Sequence, residues 1–294
     1  MTSKRSLGEK IFGLFNVIGL TALSCVFLLP VWHVLMGSIS DPLRLSAYSG
    51  LILRPLGKAT LGGYTLVMNN SNILRSYLNT IIIVTAATGF GTVLTILAAY
   101  ALSLKRLYFK APIVFMITFT MIFNGGLIPT YMVVRNLGML NSLTSLIIPG
   151  AVSVYNIIIM RTAFASIPDA LSEAAIIDGA GHGRILTQII IPVSSATIAV
   201  IVLFYAIQHW NAWFNASIYL RDRGLFPLQL TLREIVILSS EQSIQAAQEA
   251  TDMEIFRPLI KYATIMVATL PMLVIYPFVQ KYFVSGVMIG SVKG

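Results

Sequence analysis

The sequence is poor in charge. Only 11% of its 294 residues are Asp, Glu, Lys or Arg, where soluble domains carry about 25%, and the mean hydropathy is +0.83. A soluble globular protein is excluded. Cys25 is the single cysteine, so no intramolecular disulfide and no multi-cysteine metal site can form. Nucleotide fingerprints are missing. The nearest approach to a P-loop, Gly57-Lys58-Ala59-Thr60, has Ile52 in place of the first glycine and Ala59 where Ser or Thr must follow the lysine. Gly89-Phe90-Gly91 lacks the third glycine of a dinucleotide turn; with Ala86, Ala87, Thr88 and Thr92 it reads as a small-residue surface for close helix packing. An intramembrane hydrolase needs a nucleophile, a base and an orienting group within reach, and neither His33 nor His209 has a carboxylate nearby in sequence. The most informative absence is of Asp, Glu, Lys and Arg from the middle of every long apolar run. Ion-coupled carriers tolerate such charges, at about 2.5–3.5 kcal/mol each, because the charge is their coupling device. Energy for any transport must then come from outside this chain.

What is present is apolar length. Six stretches, at about 11–36, 78–104, 113–134, 143–160, 193–212 and 260–279, approach or exceed the roughly 20 helical residues that cross a hydrocarbon core. The expectation is an all-α membrane protein, one transmembrane domain over residues 1–294 with six spanning helices. The first stretch is too long for a signal peptide and is expected to remain as a span. Two long polar segments, 37–77 and 213–259, separate spans on one side, and 161–192 separates spans four and five on the other. An even number of spans puts both termini on one side. The basic residues divide ten and ten between the two sides. Orientation therefore rests on Lys4, Arg5 and Lys10 and on Lys105, Arg106 and Lys110, which sit against helix ends, and both termini are expected in the cytoplasm.

Residues 161–192 carry the clearest local signals. Ser166 with Asp169 three positions later has the spacing of a capping box, and Pro168 suits a first turn. A helix is expected from there through Glu173, Ala174 and Ala175 to Asp178. Gly179 can take the left-handed conformation that ends helices, and Gly181 and Gly183 permit a turn. Ile185, Leu186, Ile189 and Ile190 then recur at helical spacing until Pro192. The result is a helix–turn–helix on the membrane surface.

Glu173-Ala174-Ala175, then Asp178-Gly179-Ala180 and Pro192, resemble the EAA loop of the permease subunits of ABC importers, and the six-span layout resembles their carbohydrate type I branch. Trp210-Asn211 with Phe214, followed by Phe226-Pro227-Leu228-Gln229-Leu230, is similar to maltose-transporter-like permeases. The Gly181-His182-Gly183 triplet is looser than usual, and Asn215-Ala216 stands where a proline is common. The resemblance implies that the loop is the coupling helix of an inner-membrane permease. Glu173, Ala174, Ala175, Asp178, Gly179, Ala180, Gly183 and Pro192 would then shape a knob for a cleft on a separate ATPase. It also implies a heterodimer with a second permease, two ATP-binding subunits and an extracellular or periplasmic solute-binding protein. ATP and Mg would be held by the ATPases, with no cofactor on this chain and no catalytic or metal residue in it. The bland alternative for the loop is an amphipathic helix on lipid head groups.

For the solute, Asn124, Tyr131, Tyr205, Gln208, Trp210 and Asn211 combine the aromatic faces and amides that a sugar needs. Trp and Tyr at such positions equally anchor helices at head groups, and Asn124-Gly125-Gly126 with Pro129 equally makes a packing kink. Spans without fixed charge favour a neutral sugar. Arg44, Arg54, Arg75, Arg135, Arg221, Arg223, Arg233 and Arg257 on the outer side favour a uronate oligosaccharide, because guanidinium meets carboxylate at two points; the chain also resembles permeases assigned to alginate- or pectin-like polymers. Head-group anchoring is the competing account of those arginines. Two other classes stay open, a stand-alone secondary carrier and a membrane scaffold without transport.

Overall fold

The structure is a computed structural model described over residues 7–69, 71–245 and 252–291. It is all-helical there, with no strand among the described residues. Lys4 and Arg5, used above for orientation, lie outside the described residues.

Helix α1 (Leu7–Ser38) covers the expected first span and α2 (Ser71–Ser103) the second, each several residues longer than the apolar run alone. The third expected span is instead two helices, α3 (Lys110–Ile122) and α4 (Leu127–Asn136), meeting at 111°. Asn124 makes the break: its Oδ1 accepts the Gly126 N–H at 2.9 Å, a side-chain turn that competes with the helix ladder, and Gly126 follows at φ 91°. The fourth is divided too, into a turn at Thr144–Ile147 and α5 (Val154–Ala165) on either side of Pro149. At 12 residues, α5 rises only about 18 Å, short of a hydrocarbon core of about 30 Å. Then come α6 (Asp169–Ile177), α7 (His182–Ile185) and α8 (Ser195–Trp210), with residues 182–193 meeting α8 at 84°. The last helix, α9 (Asp252–Ser291), has its apolar part at Phe256–Pro277. By length and composition α1, α2 and α9 qualify as spans, or five segments qualify if each bent pair counts as one, against the six expected.

The chain falls into two compact units, residues 1–70 with 232–270 and residues 71–231 with 271–294. In the first, Met36, Leu45, Ile52 and Leu259 form the core. Trp32 and His33 pin the segment after α1: Trp32 Nε1 donates to Leu53 O at 2.9 Å, and His33 Nδ1 accepts from Ile52 N at 2.9 Å. A neutral His33 therefore carries its proton on Nε2, which lies 3.1 Å from the Tyr262 hydroxyl.

In the second unit α2 is the central element. Its buried stripe, Ile83, Ala87, Thr88, Gly91, Thr92, Thr95, Ala99 and Leu102, keeps helical period and packs on α5 and α8. The small-residue surface expected there is realised by Ala87, Thr88, Gly91 and Thr92, whereas Ala86 and Gly89 point outward. A methyl group on Gly91 would run into the Ala151 carbonyl. The hydrophobic core below joins Ala99, Met160, Phe164, Ile185, Leu186, Ile190, Ile201 and Tyr205.

Candidate functional site

The site is the knob built by residues 166–190, and the C-terminal end of α2, expected on the inner side, supports it. Lys110 Nζ donates to Leu104 O at 2.9 Å and Arg161 Nε to Leu102 O at 3.3 Å. These cations therefore satisfy carbonyls that a helix terminus leaves without partners. Lys105 takes a different partner, Asp169 in the first turn of α6. The hydrogen bond to Asp169 raises the Lys105 pKa, and the charges of Asp169 and, less, Glu173 add to it. A carboxylate is also well placed at that helix end, where the dipole is positive. Both partners are exposed, so solvent screens the pair strongly.

The capping box is not formed. Ser166 ends α5, and its hydroxyl donates back to Ala163 O at 2.8 Å, so it is unavailable to α6, which starts behind Pro168 without a side-chain cap. The other end of α6 follows the expectation. Gly179 is at φ 77°, Ala180 N donates to Ala175 O at 2.8 Å, and Gly179 N to Ile176 O at 3.0 Å. This pair of bonds is a Schellman cap, and its usual apolar contact is supplied by Ala175 and Ala180, which both pack on the core. The cap thus turns Glu173, Ile176, Ile177 and Asp178 outward together, with Ile177 85% exposed. Outward-facing Leu171, Ile176 and Ile177 are functional candidates that the sequence reading missed. The available signal, for Ile176 and Ile177, was that they fall out of helical phase with the inward-packed Ala175; Leu171, four positions before Ala175, gave none.

The chain then returns to the core. Ile185, Leu186 and Ile190 are buried, as their spacing predicts, so this second helix is anchored in protein by its apolar face. Pro192 does not close it. Lacking an N–H, the proline cannot continue the ladder. The turn before it widens to a π turn at Leu186–Ile190 with Ile191 N bonded to Leu186 O, and the chain bends after Val193. His182, in the glycine-flanked triplet at the start of α7, places Nδ1 3.0 Å from the Tyr100 hydroxyl with the rings edge to face. Gly183 is exposed with open space around it.

At the N-terminal end of α2, expected on the outer side, the Phe226–Leu230 motif is clamped. Asn79 Nδ2 donates to Gly224 O and Phe226 O, Thr80 Oγ1 accepts from Leu228 N at 2.8 Å, and Ser76 and Thr231 share a hydroxyl hydrogen bond at 2.7 Å. Ala216, where a proline is common in the resembling family, is buried with Leu220, Phe226 and Leu230.

The expected sugar-contacting residues do not converge. Tyr205 is fully buried; its hydroxyl accepts from Ser153 N at 2.9 Å and shares a hydroxyl hydrogen bond with Thr95 at 2.7 Å. Trp210 is buried edge-on to Tyr77. Asn211 is exposed and donates to Ile207 O, Gln208 is exposed one turn away, and Tyr131 stacks on Tyr219. Asn124 serves the α3–α4 break.

No family model matches the chain. Curated relatives and solved structures do match over nearly full length. The chain is 36% identical over 281 residues to the polygalacturonan/rhamnogalacturonan transport system permease protein YtcP of Bacillus subtilis, covering 96% of this chain and 97% of that one. It is 35% identical to protein LplC of the same organism, over 100% and 98% of the two chains. A chain from the crystal structure of a bacterial ABC transporter involved in the import of the acidic polysaccharide alginate superposes with a TM-score of 0.84 at 30% identity, covering 96% of this chain and all of that one.

Proposed function

The chain belongs to the permease subunits of ABC sugar importers, and from that premise we propose that it carries a uronate-containing oligosaccharide inward as one half of a heterodimer of six-span permeases. Two ATP-binding subunits would supply the energy, with ATP and Mg on them. An extracellular binding protein would deliver the sugar, and both termini of this chain would lie in the cytoplasm. The carrying observation for the coupling role is the Schellman-capped knob, which presents Glu173, Ile176, Ile177 and Asp178 outward from a base packed into the core. Apolar side chains projecting beside carboxylates suit a protein socket better than a lipid surface, where Lys and Arg are favoured on the polar face. The acidic solute rests on the outer arginines together with a polygalacturonan permease and an alginate importer among the relatives. Gln208 and Asn211, exposed on one face of α8's outer end, are the pathway residues we retain.

The test is a full transporter complex in lipid nanodiscs, with ATPase activity measured against binding protein loaded with oligogalacturonate or with maltodextrin. Stimulation by the uronate oligomer is expected. Stimulation by maltodextrin alone removes the acidic solute and keeps the importer; failure of any ATP-binding subunit to co-purify removes the importer.

A further inference from the structure

We infer that α2 is the rigid lever linking the inner knob to the outer Phe226–Leu230 clamp, and that Tyr100, Lys105, Asn79 and Thr80 are its positioning residues. The inference rests on the function proposed above and names how motion would pass through this chain. Every contact it uses lies within one compact unit.

The lever is continuous. Helix α2 has 33 residues without a proline or a break, about 50 Å at about 1.5 Å per residue. It is gripped at three levels. At the inner end, Lys105, in the turn two residues past α2, holds the start of α6 and Tyr100 on α2 holds the start of α7, so the knob is tied at both of its feet to α2 or to the turn that directly continues it. In the middle, Thr95 joins Tyr205, whose hydroxyl also holds Ser153 at the start of α5, while Gly91 lies against the Ala151 carbonyl. At the outer end, Ser76, Asn79 and Thr80 hold three of the residues between Gly224 and Thr231 by their backbones and a fourth by its side chain. A shift of the knob that keeps these bonds must displace the outer clamp, because close-packed interiors transmit displacement rather than absorb it. Tyr100 touches neither the outward face of the knob nor the outer segment, and Lys105 meets that face only through the weaker charge of Glu173. Their effect would be on transmission, with docking left to Glu173, Ile176, Ile177 and Asp178.

A charge-reversal cycle tests this in the full complex, using binding protein loaded with whichever of oligogalacturonate or maltodextrin stimulates the wild type. Lys105→Asp and Asp169→Lys singly should each cut the stimulation by about fivefold or more, the lower end of common coupling factors. The double variant should recover to within about twofold, since the reversed pair restores the link and the two sites are not independent. Thr80→Val, which keeps side-chain shape and removes the acceptor for Leu228 N, should lower stimulation comparably while the ATP-binding subunits still co-purify. Wild-type stimulation in all single variants, or a double variant no better than the singles, overturns the lever and leaves the importer standing. A wild-type complex that no loaded binding protein stimulates removes the importer reading, and the lever with it.

Discussion

The two ends of α2 are fastened by opposite kinds of chemistry. At the outer end, Asn79 and Thr80 bind backbone groups of residues 224–228 through buried, neutral hydrogen bonds. At the inner end, Lys105–Asp169 and Tyr100–His182 are exposed. Breaking a buried bond leaves a polar group without water, whereas an exposed group re-solvates at once. The outer end is thus built to hold and the inner end to be re-set. That division suits the proposed role, in which a partner ATPase would act on the knob.

The largest expected effect is functional and lies at the inner end. Gly179→Leu forces a left-handed φ on a side chain, at about 1–2 kcal/mol. The surrounding space is open, so what changes is the cap that aims Glu173, Ile176 and Ile177. Solute-stimulated ATP hydrolysis should vanish while the protein still inserts, and Glu173→Lys should do the same by reversing charge on the knob. Normal transport in both variants would show that the inner end has no docking role and would dissolve the contrast between the ends.

Next in size is a stability effect at the outer end. Asn79→Leu removes the donor to Gly224 O and Phe226 O, with the residue itself buried. Orphaned buried groups cost about 1–3 kcal/mol each, so the unfolding temperature in detergent should fall clearly. Lys105→Ala, by contrast, should leave that temperature unchanged, because water replaces its exposed partner. The Lys105 pKa is raised above its ordinary value by Asp169. What stability the raised lysine gives is therefore in place as pH approaches the ordinary lysine range from neutrality and is lost as pH rises through the raised pKa. Equal thermal shifts in the two variants would erase the distinction between a holding end and a re-settable one.

Much of the inner end was legible because its signals are local. Gly179 follows Asp178 at the end of a helical run, and the Ile185, Leu186, Ile190 face declares itself by spacing. The α3–α4 break was legible for the same reason, in Asn124-Gly125-Gly126. What sequence could not supply was pairing at a distance: Lys105 with Asp169, Tyr100 with His182, and Asn79 with Gly224, the last separated by 145 positions. Nothing in the residue types says which partner folding will bring. Ser166 failed for a related reason, since its hydroxyl had two helices to serve and the preceding one took it. Tyr205 looked like a sugar platform because an aromatic hydroxyl reads the same in a pathway as in a core.

The smallest expected effect belongs to the middle of α2, between the two ends. Thr88 Oγ1 and Thr92 Oγ1 are buried without a hydrogen-bond partner among the described residues, as is His209 Nε2 on α8. A hydroxyl in that state carries a desolvation penalty with no compensating bond. Valine has nearly the shape of threonine and no such group. Thr88→Val and Thr92→Val should therefore leave stability unchanged or raise it by up to about 1 kcal/mol, and leave stimulation by the binding protein as in the wild type. The outcome sharpens the contrast between the ends, because it shows that the grip on this helix comes from Thr95 and Gly91 and not from every polar residue along the buried stripe. A clear loss of stability in either valine variant would mean that these hydroxyls have partners, such as an ordered water shared with His209, and that the middle of the lever is fastened more tightly than its ends.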